Sequence, residues 1–475
     1  MEKPGKQIGI DAFERVAIVG GGASGTIAAA QLLASGAPVE VTLIERTRRP
    51  GPGIAYSTTD HSHLLNVPAG RMSALSRRDD HFLFWARQEI SSAVAWTEFL
   101  PRAQYGRYLR DTLDEAERGA DRARLERVEG EAVSLATGSI DERPIVNLAS
   151  GDALRADAVI LAMGNFPPAQ PIDVPESLIA SGRYVSDPWA PGALEAARRG
   201  DRVLLIGTGL TMVDVALSLG KIGSVRRMTA VSRGGMLPRR HRSNPQRVLR
   251  PFPMPSPLRL GSLLTTLCSE IESAPTRGQD WRDVVDSLRM VAADVWRALP
   301  EDDRRGFHGH LSRIWEVHRH RLPPASALAI EHLGDAGRLE IEQAGIASFA
   351  ESRRRVRVGL QRPGGGELET ADFDCVVNCT GCSADLRDSG DALVRDLLDG
   401  GKARPGPLGL GLDAEPDGTL LDRDGEPSPR VFAMGPLLRG LLWESTAIAE
   451  CRSQASALAD RLSAPVAEKP EVSAA

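Results

Sequence analysis

The sequence predicts an α/β fold built from two Rossmann-like dinucleotide-binding domains. Three observations predict it. A strand, a glycine-rich turn, a helix and a second strand follow one another from Val16 to Glu45, and the same order recurs from Val203 to Arg233. Each copy is followed later by a short closing strand that ends in small residues. Two copies of this order indicate two nucleotide-binding units, not one.

In the first copy, short apolar runs alternate with an Ala- and Leu-rich segment of helical length. The predicted elements are the strand Val16–Val19, the helix Thr26–Ala34, the strand Val39–Ile44, short strands within Leu125–Leu148, and the closing strand Asp157–Leu161, which runs into Ala162-Met163-Gly164. In the second copy they are the strand Val203–Ile206, the helix Leu210–Leu219, the strands Met228–Val231, Leu339–Glu342 and Arg355–Leu360, and the closing strand Asp374–Asn378.

The pattern changes between Pro238 and Pro324, where three segments have helical character. This predicts a helical insertion at about residues 240–335, with helices at Leu263–Ile271, Trp281–Leu299 and Gly306–His318. A last strand, Arg430–Ala433, and a helix, Ser445–Leu462, return to complete the first domain. We therefore expect a discontinuous first domain of residues 14–195 and 383–463, a second of 196–382, and disordered ends at 1–13 and 464–475.

Composition and charge exclude several classes of function. The net charge is −5, so no strongly basic surface indicates nucleic acid as a partner. Five cysteines in 475 residues do not suggest a disulfide framework, and neither a signal peptide nor a membrane span is visible. We expect a cytoplasmic protein that binds no membrane.

The first glycine turn, Gly20-x-Gly22-x-x-Gly25, has the spacing of a dinucleotide fingerprint. The first glycine permits the tight turn, the second lets the backbone approach a pyrophosphate, and the third lets helix and strand pack closely. The pyrophosphate then lies at the helix N-terminus. Glu45 ends the next strand, where a carboxylate accepts hydrogen bonds from ribose hydroxyls. This pattern indicates FAD or NAD and disfavours NADP.

The second turn has Gly207 and Gly209, but Met212 replaces the third glycine. Its second strand ends in Ser232-Arg233, a hydroxyl and a guanidinium that suit a ribose 2′-phosphate. We therefore expect NADPH at this unit. The nearby Arg239, Arg240 and Arg242 either add positive potential or are ordinary surface arginines.

Beyond these turns, the chain resembles a bacterial FAD/NAD(P)-binding oxidoreductase family related to class B flavin monooxygenases of the N-hydroxylating type. The resemblance covers residues 15–462. The segments that carry it are VAIVGGGASG, GIAYS (53–57), HLLNVPAGRMS (63–73), LLIGTGLTMVD, SRG (232–234), WEVHRHR (315–321), NCTG and MGPLLRGLLWESTAIAECRSQA.

The resemblance implies positions for residues around the two cofactors, FAD and NADPH. Asn66 and Ser73 would hydrogen-bond near the flavin and are the candidate catalytic residues, with loop capping as the alternative role. The late segment would cover the flavin, and a helix from Ser445 would point its N-terminus at it. The full set of expected cofactor contacts is Gly20, Gly22, Ala23, Ser24, Gly25, Glu45, Arg46, Asn66, Val67, Met72, Ser73, Val133, Met163, Gly164, Gly207, Gly209, Thr211, Ser232, Arg233, Gly435, Trp443 and Glu444.

The function that the resemblance implies is NADPH reduction of FAD, followed by oxygenation of a small nucleophilic substrate such as an amine, through a flavin C4a-(hydro)peroxide formed with O₂. Two alternatives stay open: a dehydrogenase or reductase with an organic or protein acceptor, and a non-catalytic FAD-binding redox sensor.

Other motifs point elsewhere with less support. Cys379-x-x-Cys382 has the spacing of a redox dithiol, but its position in the chain does not place it against the flavin. Cys375, Cys379 and Cys382 could bind a metal ion together, but no fourth ligand lies nearby in the sequence. We expect the histidines between residues 308 and 320 to belong to an Arg-rich helix end that packs on the nucleotide domain. A catalytic role for one of them is the alternative. Trp281 and Trp296 suit core packing or, alternatively, the wall of a substrate pocket.

Overall fold

The computed structural model describes residues 13–47, 49–137, 143–243, 250–387 and 389–463. The predicted disordered ends lie outside this range except for Phe13, which packs partly buried against the first hydrophobic core. The strands are β1 (Arg15–Val19), β2 (Glu40–Glu45), β3 (Arg124–Glu129), β4 (Ala132–Ala136), β5 (Ile145–Leu148), β6 (Ala153–Arg155), β7 (Ala158–Leu161), β8 (Tyr184–Val185), β9 (Arg202–Ile206), β10 (Arg227–Ser232), β11 (Leu339–Gln343), β12 (Gly345–Ser352), β13 (Arg355–Gln361), β14 (Glu369–Phe373), β15 (Cys375–Asn378), β16 (Thr419–Leu421) and β17 (Pro427–Ala433).

The helices are mostly short, and the sequence pattern located the helix that follows each glycine-rich turn. They are α1 (Ala23–Leu33), α2 (Gly53–Tyr56), α3 (His81–Glu89), α4 (Arg102–Arg118), α5 (Glu176–Ala180), α6 (Glu195–Arg199), α7 (Leu210–Gly220), α8 (Leu260–Ser273), α9 (Trp281–Arg289), α10 (Ala292–Ala298), α11 (Glu301–Gly306), α12 (Ser312–Arg319), α13 (Pro324–Asp335), α14 (Ala392–Asp399), α15 (Arg439–Leu442) and α16 (Ile448–Ser463). A π-helical turn, Phe307–Leu311, joins α11 to α12.

The first unit is centred on a six-stranded sheet in the order β16-β17-β7-β1-β2-β3. The pairs from β17 through β3 are parallel, and β16 joins the edge antiparallel. Alternate residues of β1 enter different cores: Val16 and Ile18 face one, Ala17 and Val19 the other. A sheet buried on both faces explains why these strands read as continuous apolar runs.

The second unit has a five-stranded parallel sheet in the order β11-β10-β9-β15-β8. Val203 and Leu205 face one core and Leu204 and Ile206 the other, as in β1. The strand Tyr184–Val185 pairs with β15, so this sheet begins before the expected boundary at residue 195. The domain limits stay a prediction, whereas the fold of two Rossmann-like units is confirmed.

The two units close in the same way. The Asp157 carboxylate, just before β7, accepts hydrogen bonds from the backbone N–H groups of Glu14 and Arg15 at 3.0 and 2.8 Å. The Asp374 carboxylate, just before β15, accepts them from Asp201 and Arg202 at 3.0 and 2.9 Å. Each aspartate therefore anchors the start of the central strand to the closing strand.

The insertion is helical as predicted, with one difference. The single helix expected at Trp281–Leu299 is two helices, α9 and α10, separated at Met290–Val291. The break lets α9 carry its charged side chains toward the first unit while Trp296 of α10 donates to the Gly440 carbonyl at 2.8 Å. The helix expected from Ser445 begins at Ile448, after Trp443 adopts a positive φ of 57°.

None of the helices in the described ranges is long and apolar enough to cross a membrane.

Candidate functional site: two glycine turns and the insertion between them

The first glycine turn has the geometry that its spacing predicts. Gly20 has φ = 102°, and a Cβ there would lie 2.4 Å from the Ala162 carbonyl oxygen. A Cβ on Gly25 would lie 1.9 Å from the Gly20 carbonyl oxygen, whereas on Gly22 its nearest neighbour would be the Gly53 Cα at 3.4 Å. The first and third glycines are thus needed for packing, and the second leaves room over the N-terminus of α1, where a pyrophosphate fits.

Glu45 lies beside this turn, at the end of β2. Its Oε2 accepts a hydrogen bond from the Gly21 N–H at 2.7 Å, which fixes the carboxylate against the turn. The position is compatible with a ribose contact, which stays a prediction. Arg46 is directed elsewhere, because its guanidinium lies 2.5 Å from Asp391 and 3.3 Å from Glu131.

The second turn repeats the first with one substitution. Gly207 has φ = 108°, and a Cβ there would lie 2.5 Å from the Cys379 carbonyl oxygen. A Cβ on Gly209 would have only the Arg313 Nη1 near it, at 4.0 Å. At the third position Met212 is fully buried in the core of this unit. A nucleotide therefore has the same open approach at Gly209 as at Gly22.

The Ser232 hydroxyl is held at the turn. It lies 2.9 Å from the Thr208 hydroxyl and accepts a hydrogen bond from Gly235 N–H at 3.0 Å. Arg233 is exposed. Its 2′-phosphate contact stays a prediction, and Thr211, half-buried in the first turn of α7, remains a candidate as well.

Arg313 is a residue that the sequence reasoning missed. It belongs to α12 of the insertion, yet its Nη2 donates to the Thr208 hydroxyl of the second turn at 3.3 Å. A cation beside the open glycine and the N-terminus of α7 favours an anionic group there. The position lies more than 100 residues after the turn, so no local spacing could have indicated it.

The loop expected to line the flavin is tied to the protein through its backbone. The Asn66 carbonyl accepts a hydrogen bond from His241 Nε2 at 2.9 Å. The Ser73 hydroxyl lies 3.1 Å from the Leu75 carbonyl oxygen and 2.5 Å from that of Arg78, and it also accepts from Leu75 N–H at 3.1 Å. For Ser73 these contacts favour loop capping, the alternative weighed from the sequence.

Other expected contacts of the flavin fall around the first turn. Gly435 has φ = 68°, a Cβ on it would lie 3.0 Å from the Ser24 hydroxyl, and its N–H donates to Gln454 at 2.7 Å. The late segment therefore lies against the start of α1, where Ala23 and Ser24 begin the helix. Of the remaining expected contacts, Met72 is buried and Val67, Val133, Met163 and Gly164 are half-buried.

Trp443 and Glu444 connect the late segment to the insertion. Trp443 packs against Trp296 and Phe307, with ring centroids 4.9 and 5.1 Å apart. The buried Glu444 accepts from Trp315 Nε1 at 2.8 Å and lies 3.3 Å from Arg319 Nε. Burial raises the pKa of Glu444, but Arg319 and the other nearby cations outweigh it and hold the pKa at about 2. Glu444 is thus an ionised structural partner.

The cysteine pair does not adopt a reactive arrangement. Cys379 is buried and lies against the second turn, and burial raises the pKa of its thiol. Cys382 is exposed. In the described part of the chain, no group of three or more histidine, cysteine, aspartate or glutamate side chains is placed to hold a metal ion.

Similar proteins agree with this layout. Residues 17–166 match the family model described as FAD-NAD(P)-binding, a range that contains the first glycine turn and Glu45. An L-aspartate N-monooxygenase (nitrosuccinate-forming) of Streptomyces davaonensis is 30% identical over 263 residues, covering 45% of this chain and 40% of that protein. The chain spans about two fifths of the length of the curated relatives it matches.

Solved structures are similar over nearly the whole chain. The cadaverine monooxygenase of desferrioxamine biosynthesis from Erwinia amylovora has a TM-score of 0.62 at 12% identity, covering 97% of each chain. The L-lysine 6-monooxygenase of Pseudomonas syringae has a TM-score of 0.60 at 16% identity, covering 95% of this chain and 99% of that one. At these identities the likeness shows the fold alone, with its two α/β units.

Proposed function

We propose that the protein is an FAD-dependent, NADPH-using N-monooxygenase that hydroxylates the amine nitrogen of a small substrate with O₂. The observation that carries the proposal is the pair of glycine turns, each with one open glycine at a helix N-terminus. One turn suits the FAD pyrophosphate and the other suits a second dinucleotide. The similarity to an L-aspartate N-monooxygenase supports the choice of reaction.

Bound FAD supplies the chemistry, namely acceptance of a hydride from NADPH and activation of oxygen. The chain's own residues bind and orient the reactants. The N-terminus of α1 would hold the FAD pyrophosphate, and Glu45 would accept hydrogen bonds from the adenosine ribose. Thr208 and Arg313 lie where the coenzyme pyrophosphate would come, with Ser232 and Arg233 at its 2′-phosphate.

The insertion also excludes water from the region beside the late segment. Trp296 and Trp443, which are 3% and 7% exposed, form a buried aromatic pair there, and the half-buried Phe307 packs against them. Exclusion of water would favour the chemistry that bound FAD supplies, because it limits competing hydrolysis. The wall of this region therefore comes from both the first unit and the insertion.

The main competing function is electron transfer from NADPH to another acceptor without oxygenation. A disulfide acceptor relayed by the chain's own cysteines has little support, because Cys379 lies at the second turn and not the first. An external acceptor is an alternative that experiment separates from oxygenation.

The test is stopped-flow spectroscopy of the purified flavoprotein. Anaerobic NADPH should bleach the flavin absorbance, and mixing with oxygen should give a transient spectrum distinct from both oxidised and fully reduced flavin. Its lifetime should increase with NADP⁺ bound. Direct return to oxidised flavin with stoichiometric peroxide, with NADP⁺ bound and amine substrates present, would refute the oxygenase proposal and favour the dehydrogenase.

A further inference from the structure

A group of charged side chains is buried where the insertion meets the first unit. Its cations are contributed by the loop after Ala69, by α9, and by the end of α12 and the residues after it. Its anions come from α9, from the late segment and from α16. We call the side chains of Arg71, Arg289, Arg319 and Arg321 the guanidinium cluster, and the facing carboxylates are those of Asp286, Glu444 and Glu450.

Pairing within the cluster is incomplete. Arg321 donates to Asp286 and Arg289 donates to Glu450. Arg319 lies 3.3 Å from Glu444 without a hydrogen-bond geometry. Among the described residues of this cluster, four buried guanidinium nitrogens have no hydrogen-bond partner, compared with one oxygen of the three carboxylates. They are Nε of Arg289, Nε and Nη2 of Arg319, and Nε of Arg321, and the oxygen is Oε2 of Glu450.

This arrangement lowers the stability of the folded protein unless a further group accepts hydrogen bonds from these donors. Arg319 and Arg321 are only 6% and 4% exposed, so water is largely excluded from their unpaired N–H groups. Buried polar groups in native proteins are nearly always hydrogen-bonded. Within the cluster as defined, the four guanidinium groups exceed the three carboxylates by one charge; Asp283, which also acts on Arg71, is paired with Arg242 at 2.7 Å. His241 and His320, which lie beside the cluster, do not add to this positive charge, because burial and Arg319 or Arg321 disfavour their charged forms.

We propose that the guanidinium cluster binds the carboxylate groups of the substrate, which makes the substrate a small acidic amino acid. The inference rests on the proposed N-monooxygenase function and names its substrate class. Three separate guanidinium groups have N–H donors without acceptors, and the oxygens of two substrate carboxylates would accept from them. The planar guanidinium group also matches the geometry of a carboxylate. A substrate with a second ammonium group would meet a net positive charge.

The location agrees with a substrate site. Arg71 immediately precedes Met72 and Ser73 of the loop expected to line the flavin, and Glu444 belongs to the late segment expected to cover it. Arg289 and Glu450 retain 23% and 21% exposure, so the cluster reaches solvent on that side. We infer that a carboxylate enters past this ion pair toward the more deeply buried Arg319.

A phosphate of NADPH is the other anion that could use these donors. The geometry favours the substrate, because the cation beside the open glycine of the second turn is Arg313, whereas Arg319 is directed to Glu444 of the first unit. The experiment must separate the two anions.

Binding is measured by titration calorimetry on the FAD-loaded protein, with and without NADP⁺. The probes are L-aspartate, succinate (two carboxylates without the amine) and cadaverine (two amines without carboxylate). L-Aspartate and succinate should bind and cadaverine should not. Arg319→Lys keeps the charge but loses the fork and should weaken L-aspartate binding about ten- to a hundredfold.

Two further variants guard against misfolding and non-specific effects. Arg319→Gln alone leaves Glu444 buried without its partner, so the double variant Arg319→Gln/Glu444→Gln removes both charges and should show at least the same loss of binding. Arg305→Gln changes an exposed arginine of the same insertion, paired with Glu301, and should bind L-aspartate like the wild type.

The inference is overturned if neither L-aspartate nor succinate binds, if Arg319→Lys binds L-aspartate as tightly as the wild type, or if the variant loses NADP⁺ affinity instead. The rate of flavin reduction by NADPH is recorded in parallel. Normal reduction without dicarboxylate binding rejects the substrate class alone, whereas a flavin that NADPH does not reduce rejects the proposed function.

Discussion

Two imidazoles at the junction of the insertion and the first unit should make the stability of the protein fall as the pH drops from 8 to 5. Burial, followed by the nearby guanidinium groups of Arg321 and Arg319, lowers the pKa of His241 to about 3. Burial and Arg319 lower the pKa of His320 to about 4. His241 donates from Nε2 to the Asn66 carbonyl at 2.9 Å, so the neutral form holds the loop.

The sign follows from proton binding. Near pH 5 the unfolded chain protonates both imidazoles, whose ordinary pKa is about 6.5, while the folded protein keeps them neutral. The unfolded state therefore binds more protons, and folding weakens as the pH falls through the ordinary pKa. Integrating from pH 8 to pH 5 gives about 2 kcal/mol for each histidine, or about 4 kcal/mol together. Burial also lowers the pKa values of His81 and His308, which adds to the effect.

The assay is urea unfolding of the FAD-loaded protein at pH 8, 7, 6 and 5. His241→Gln and His320→Gln each remove one titrating group, so each should reduce the loss between pH 8 and pH 5 by about 2 kcal/mol. His332→Gln replaces an exposed histidine and should leave the pH dependence unchanged. If the wild type and both variants lose the same free energy of unfolding over this range, the two imidazoles are not held neutral by the fold and the reasoning is refuted.

Three further predictions concern the cofactor sites. Gly25→Ala should destabilise the first unit, because a Cβ there would lie 1.9 Å from a carbonyl oxygen, whereas Gly22→Val should fold and yet lose the visible flavin absorbance. Circular dichroism reports the folding of each variant, and the absorbance spectrum reports its bound flavin. A yellow Gly22→Val protein would contradict the assignment of Gly22 to the pyrophosphate site. Arg233→Ala should lower the NADPH-over-NADH preference in flavin reduction about ten- to a hundredfold, since a charge-assisted phosphate contact contributes about 1.5–3 kcal/mol. Arg226→Ala changes a highly exposed arginine of the same unit and should leave this preference unchanged. An unchanged ratio in Arg233→Ala would exclude Arg233 from phosphate recognition. Ser73→Ala should lower the free energy of unfolding by about 1 kcal/mol and leave the oxygen transient intact, because its hydroxyl caps the loop; a shortened transient with unchanged stability would restore a role beside the flavin.

The parts of the fold governed by local spacing could be predicted from the sequence. Gly20 and Gly25 lie where their fingerprint requires, and even the degenerate copy at Gly207 has the same turn. The continuous helix expected from Trp281 was wrong, since periodicity alone does not reveal that α9 and α10 pack against different neighbours. Apolar residues at helical spacing indicate that one face of a helix is buried, but they do not indicate which element packs against that face.

The charged contacts between distant segments could not be predicted. Arg319 and Glu444 are far apart in the chain, and in a protein with 58 arginines and lysines no arginine stands out by type. The segment Trp315–Arg321 attracted attention for its histidines, whereas its buried arginines carry the unpaired donors. Ion pairing depends on which surfaces fold together, so it becomes visible only when the insertion is placed against the first unit.

The strand order of the first sheet also dictates how the chain can be assembled during synthesis. The second sheet uses a continuous stretch, residues 184–378, whereas β7 of the first sheet is flanked by β17, from residues 427–433. The helix α16, near the end of the described chain, packs against α1 near its beginning. On the ribosome, the unit that emerges first must therefore wait, with one edge of β7 uncovered, until the later unit has been made. FAD retention should accordingly be gained only after β17 and α16 have been translated and have packed against β7 and α1.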